Sequence, residues 1–223
     1  VSAPKELAPG LHHWTARHPE WHPSSDDGFG AEVGCFALVT DAAEVLLIDP
    51  LVDEDDALDP LAAAASDTYI FITIGYHVRS AARLSARYGA TVHGPPQAGK
   101  RLEDDVPFTL LEPGGAAGPG GVTAHAIGRP RRGETPLWLP SHRALAFGDA
   151  LVGTPGGELR MWCQDPDEPA RRAFYRERFA PTLQPLVDLE PEHVLVTHGA
   201  PVVGGGARAL AAAAAAEPWF HGG

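Results

Sequence analysis

The stretch FITIGYHVRSA, Phe71 to Ala81, begins as a buried strand and ends as something else. Phe71, Ile72 and Ile74 are apolar or β-branched, and Thr73 fits among them on a pleated surface. Gly75, Tyr76, His77, Val78, Arg79 and Ser80 then put a glycine, a histidine and a cation where a strand hands over to a helix. In α/β folds that junction is a frequent place for chemistry. His77 is therefore the first residue to weigh as a metal ligand or an acid–base group.

Upstream, CFALVT (Cys35 to Thr40), DAAE and VLLIDP (Val45 to Pro50) read as a hairpin of two buried strands around a polar turn. The acidic run Asp53 to Asp59 precedes alanines, as expected of carboxylates at a helix N-terminus, and predicts a helix over about Asp56 to Ala65. Downstream of the opening stretch a helix is expected from about Ser80 to Tyr88, which Gly89 can end in a left-handed conformation. ATVHGP is a further short strand. After Gly99 the segments VPFTLL, VTAHAIG, TPLWLP and ALAFGDAL follow one another as strands and are expected to form a second sheet. From Pro169 the pattern is helical again, with Phe179, Leu183, Leu186 and Val187 at near-helical spacing and Pro181 and Pro185 breaking or kinking it. The strand HVLVTHG and an alanine-rich helix over about Gly206 to Glu217 close the chain. Strands and helices alternate, strands then run together, and helices return. This order predicts two sheets packed face to face with helices outside, a four-layer αβ/βα sandwich formed by one domain over residues 1–223.

Composition narrows the functional classes. The net charge of −12 argues against a general binder of nucleic acid or of anionic membrane surfaces. Two cysteines, Cys35 and Cys163, make neither a disulfide framework nor a CxxC zinc pair and read as reduced, packed thiols. No apolar run reaches the ~18 to 20 residues of a membrane helix. A soluble, cytoplasmic protein is expected. There is no G-x-S-x-G nucleophile elbow, and GGAAGPGG lacks the Lys and Ser or Thr of a phosphate loop.

Three strand ends carry the chemistry: TIGYHVRS around His77, AFGDAL around Asp149 and VLVTHGAPV around His198, preceded by LLIDPL. In this order they resemble the metallo-β-lactamase superfamily, over roughly Leu7 to the last helix. That family usually carries T-H-x-H-x-D-H at the first strand end, G-D at the second and G-H-G or a similar turn at the third. The resemblance implies the αβ/βα sandwich, a hydrolytic or lyase activity and a metal centre. It carries over residue by residue only in part. His77 falls on the second histidine, whereas Gly75 replaces the first, Arg79 the aspartate and Ser80 the last histidine. The next family histidine belongs to a P-G-H-T-like turn, which here reads IGRPRRGETP with Pro130 or a neighbouring arginine at the place. Asp149 matches the bridging aspartate and His198 the final histidine.

The resemblance thus leaves His77, Asp149 and His198 as metal ligands, enough for at most one zinc or iron ion. The competing expectation is a metal-free site in which Arg79 pairs with Asp149 and side-chain charge replaces metal charge. In metal-free hydrolysis His77 is the expected general base, oriented by Asp149. Glu134 is read as neutralising Arg132, with a general base as its other use. The cluster LHHWTARHPEWHP supplies Trp21 and His22 as expected pocket walls, with substitute ligands as the other use of its histidines; Arg79 with Arg131 and Arg132 is the expected cationic pocket for a carboxylate or phosphate ester, against a solvated loop for Arg131 and Arg132. His93 reads as a surface or turn residue. Two functions stay open at this point: a hydrolase of a small ester, lactone or thioester, and a non-catalytic relative that binds an anionic small molecule or a protein in the old groove.

Overall fold

The computed structural model describes residues 2–24 and 29–220. The first sheet is built in chain order from β1 (Lys5–Ala8), β2 (Leu11–Arg17), β3 (Glu32–Val39), β4 (Glu44–Ile48), β5 (Asp67–Phe71), β6 (Thr91–Gly94) and β7 (Phe108–Leu110). Its first four strands pair antiparallel and its last four parallel. The helices α1 (Asp59–Ala62), α2 (Ala81–Tyr88) and α3 (Pro96–Gly99) make the crossovers between the parallel strands. In the second sheet, β8 (Thr123–Ala124), β9 (Leu137–Leu139) and β10 (Ala144–Phe147) lie beside β13 (His193–Val196) and β14 (Val202–Val203), with β10 and β13 parallel. Between them in the chain, β11 (Leu151–Gly153) and β12 (Leu159–Met161) form a ladder of their own. The helices α4 (Pro169–Phe174), α5 (Gln184–Val187) and α6 (Gly206–Ala215) cover this half.

The layers follow from where the apolar side chains go. Leu38, Leu46, Ile48 and Phe71 from the first sheet meet Leu137, Leu139, Ala146 and Leu195 from the second, forming the inner core. On the outer face of the first sheet, Trp14, Leu47, Ile70 and Ile72 pack with Leu84 of α2. Beyond the second sheet, Phe147 and Val194 pack with Phe179, Leu183, Leu186 and Leu210. Central strands are therefore buried on both faces, which is why VLLI and FIT read as continuous apolar runs. Gly34 lets the sheets touch at the main chain: its N–H donates to the Thr197 carbonyl at 2.6 Å. A Cβ there would stand 3.1 Å from the Val196 carbonyl oxygen.

Two expectations are corrected. Phe108–Leu110 is the edge of the first sheet, paired parallel to β6, and does not belong to the second. The reason is the four-residue α3, too short to leave a periodicity in the sequence. The helix expected over about Asp56 to Ala65 is one turn, Asp59–Ala62. Pro60 has no N–H for an interior helical bond, so it fixes the start one residue before itself. Gly89 ends α2 with φ +65°, as expected.

Candidate functional site

The parallel strands bring several chain reversals to one end of the sandwich. Asp49 follows β4, the segment from Thr73 to Ser80 follows β5, Asp149 follows β10 and His198 follows β13. The two sheets are tied there by a short pairing, in which the Thr135 N–H donates to the Thr73 carbonyl at 2.7 Å and Ile74 bridges Glu134. Two non-glycine residues at this end have left-handed backbones, Asp49 at φ +45° and Arg79 at φ +36°. Such conformations are costly and persist where surrounding structure holds them.

Asp49 is the anchor of the first half of the site. One carboxylate oxygen accepts the Thr73 N–H at 2.9 Å, while the other accepts the Thr73 hydroxyl and lies 2.9 Å from His77 Nδ1. This fixes the imidazole so that Nε2 faces Asp149 Oδ1 at 3.5 Å. His198 Nε2 approaches the same oxygen at 3.4 Å. The Tyr76 hydroxyl donates to the other oxygen, Oδ2. His77, Asp149 and His198, predicted from sequence, are thus brought together and buried.

Glu134 holds the second half. It is buried, with one oxygen accepting the Gly148 N–H at 2.8 Å and the other accepting those of Asp149 at 3.0 Å and Ala150 at 2.8 Å. It therefore staples the G-D-A turn that carries Asp149. Burial, then the nearby Asp149 carboxylate, push its carboxyl up to about 7 against the pull of Arg131 and the N–H donors. For His77, burial and Arg79 act to lower the pKa, but the flanking Asp49 and Asp149 carboxylates outweigh them and raise it. Asp149 is held well below the usual carboxylate range: burial opposes this, and His77 and His198 overcome it. His198 is lowered by burial. Burial, then Asp149, raise the Tyr76 hydroxyl. The flanking carboxylates therefore favour the protonated form of His77, and the two histidines favour the ionised form of Asp149.

Above this floor opens a cavity of about 280 Å³, lined among others by His18, Trp21, Phe29 and Tyr76. Phe29 stacks on His198 with ring centroids 3.9 Å apart. Trp21 is part of its wall; His22 is not, being exposed with its Nδ1 2.7 Å from the Ser24 hydroxyl. Arg132 is exposed and outside the cavity, so it neither binds there nor meets Glu134, whose oxygens are taken by the main chain. Arg79 does not pair with Asp149. Its Nη1 donates to the Asp49 carbonyl at 2.9 Å, and Arg79 is not among the residues that line the cavity. Of the turn IGRPRRGETP it is Glu134, not Pro130 or an arginine, that enters the site. Asp49 rather than Asp149 orients His77 through Nδ1. His93 is buried on β6 and stacked on Phe71, not a surface residue. Cys35 is buried and its thiol is pushed up to about 11 by that burial, which removes it as a nucleophile.

Whether these donors fit a metal is decided by what surrounds them. A Cβ at Gly75 would lie 2.4 Å from Gln97 Cβ, so the room a histidine side chain would need there is filled. Tyr76 occupies Asp149 Oδ2, and Arg79 brings a positive charge in place of a carboxylate. His77 and His198 converge on one Asp149 oxygen, but among the described residues no group of three or more His, Cys, Asp or Glu is arranged to hold an ion. The donor set does not fit the metal centre that the sequence resemblance implied. Gly75→Ala is expected to destabilise the fold by about 1 to 3 kcal/mol through this overlap, checked by urea denaturation; unchanged stability would mean that the Gln97 segment yields freely.

No family model matches the sequence, and no curated protein matches it. Solved structures do. The metallo-β-lactamase DIM-1 is 10% identical, with a TM-score of 0.62 over 95% of this chain and 96% of that one. A metallo-β-lactamase family protein from Thermus thermophilus is 19% identical, with a TM-score of 0.58 over 94% of this chain and 78% of that one. Rubredoxin oxygen:oxidoreductase from Desulfovibrio gigas is 15% identical, with a TM-score of 0.64 over 95% of this chain and 60% of that one. The chain has the metallo-β-lactamase fold, as the order of its motifs implied.

Proposed function

We propose that the chain is a hydrolase-like protein that takes a small ester, lactone or thioester into the cavity beside Tyr76 and works on it by acid–base chemistry at His77 and Asp149. The observation that carries this reading is His77 held between Asp49 at 2.9 Å and Asp149 at 3.5 Å at the floor of an open cavity. A water against His77 gives a proton to the imidazole, held between Asp49 and Asp149, as the water oxygen adds to the carbonyl carbon. His77 then gives that proton to the departing oxygen or sulfur, which restores the starting state. With a net charge of −12 on the chain, the partner in this reading is a small molecule and not nucleic acid or a membrane surface.

A second reading is a non-catalytic protein that binds an anionic small molecule at Arg79, whose Nε and Nη2 are buried with no acceptor but which does not itself line the cavity over His77. One experiment separates the two. Hydrolysis of a phenyl ester, a γ-lactone and an acyl thioester is followed with chelator-treated protein and with protein given zinc, iron or manganese. Turnover by chelated protein that falls about a hundredfold in both His77→Gln and Asp149→Asn is expected. Turnover that needs stoichiometric metal, lost in both variants, would sink the metal-free chemistry; no turnover of any substrate would favour the binding protein.

A further inference from the structure

We infer that the cavity bounded by Arg131, Trp162 and Tyr175 is a second ligand site, built for a small planar carboxylate. The cavity is about 460 Å³, within the range of small-molecule sites. Its floor is a cation on a ring: the Arg131 guanidinium carbon lies 4.2 Å from the centre of the Trp162 ring system. Three donors of its lining residues, Arg131 Nε, Arg131 Nη2 and Trp162 Nε1, are buried with no acceptor at hydrogen-bond geometry, while the Arg131 side chain also interacts with the Tyr175 hydroxyl.

The grouping of these donors is informative. Nε and Nη2 form one edge of the guanidinium, the parallel pair that matches the two oxygens of a carboxylate. Leaving such donors buried and unpaired is costly, and an acceptor-rich anion removes that cost. The neighbouring cation is already satisfied, because Arg171 reaches Asp165 at 2.7 Å and Glu168 at 3.2 Å. Among the described residues no carboxylate lies within ion-pair distance of Arg131, in a chain of net charge −12. Phe174, 38% exposed at the rim, supplies an apolar surface for the body of the ligand. A flat carboxylate is the ligand class that matches this edge of Arg131, with Phe174 beside it in the cavity lining.

This site is distinct from the cavity over His77, although the two share a column of rings. Trp162 stacks on Phe29 at 4.9 Å, and Phe29 stacks on His198 at 3.9 Å. The test uses benzoate as the probe and inorganic phosphate as the comparison, by calorimetry and by the amide and indole N–H spectrum of the full chain. Saturable one-to-one binding of benzoate, tighter than phosphate, is expected, with the Trp162 indole N–H signal shifting along the titration; Trp162→Phe assigns that signal. Affinity should fall about tenfold or more in Arg131→Met, fall less in Arg131→Lys, and survive in His77→Gln. The inference is overturned if wild-type protein shows no saturable binding, if phosphate binds as tightly, or if the Trp162 signal does not move. It is equally overturned if His77→Gln abolishes binding while Arg131→Met leaves it intact, which would put benzoate in the other cavity.

Discussion

Replacing Glu134 by alanine is expected to cost the fold about 3 kcal/mol near pH 5, because three main-chain N–H groups of the Gly148–Ala150 turn lose their buried acceptor together. The same residue writes a pH dependence into stability. Unfolded, its carboxyl titrates near 4.5; folded, it titrates at about 7. Between these values the folded chain holds the extra proton, so this contribution is fully present below 4.5 and is lost as pH rises through about 7. At about 1.4 kcal/mol per pK unit the loss is roughly 3 kcal/mol. Glu134→Gln keeps the volume and one acceptor but cannot titrate. Urea denaturation of both proteins from acid to neutral pH should therefore show the wild type losing stability relative to the variant as pH rises. Parallel curves would rule out the raised pKa.

The second large effect is expected at Asp49. Asn tolerates the left-handed backbone better than most residues, so Asp49→Asn tests the charge rather than the turn. The substitution leaves His77 with one flanking carboxylate in place of two, against burial and Arg79, and the His77 pKa should fall. Loss of the buried charged acceptor for Thr73 and His77 should cost about 2 to 3 kcal/mol. The raised His77 pKa stabilises the wild type fully below its ordinary value of 6.5, and that contribution fades as pH rises through the folded value. The deficit of the variant should accordingly be larger in acid than in alkali. Histidine ring shifts followed across pH check the first claim and urea denaturation the second; a His77 titration identical to wild type would remove Asp49 from the site.

Much of the fold was legible because burial leaves plain marks. VLLIDP and FITI are apolar without alternation, as strands covered on both faces must be, and the order of strand ends identified the sandwich. The short connections were not legible: a four-residue α3 and a one-turn α1 carry too little periodicity to be read. At the site, the sequence picked out His77, Asp149 and His198, since each ends a recognisable strand. It gave Asp49 no role and read Glu134 as the partner of Arg132, where the fold sets it on the Asp149 turn. Asp49 was visible at the end of VLLIDP, yet only the fold puts it 2.9 Å from a histidine 28 residues away. Tyr76 stood inside the opening stretch, but its hydroxyl meets Asp149 across 73 residues of chain. Arg79 was misassigned to Asp149 because charge alone cannot place a side chain, and its Nη1 goes to the Asp49 carbonyl.

Behind His198 two glycines press main chain against main chain. The Gly153 N–H donates to the His198 carbonyl at 2.8 Å, and a Cβ on Gly199 would lie 2.0 Å from the Gly153 carbonyl oxygen. The loop bearing this histidine is thus seated by main-chain contacts, just as the Asp149 turn is seated by Glu134. Neither of these contacts uses the side chain that projects from the turn. The pocket floor is in this sense a socket whose frame is set apart from its fittings, which makes positions 149 and 198 natural starting points for installing a different chemistry in this scaffold.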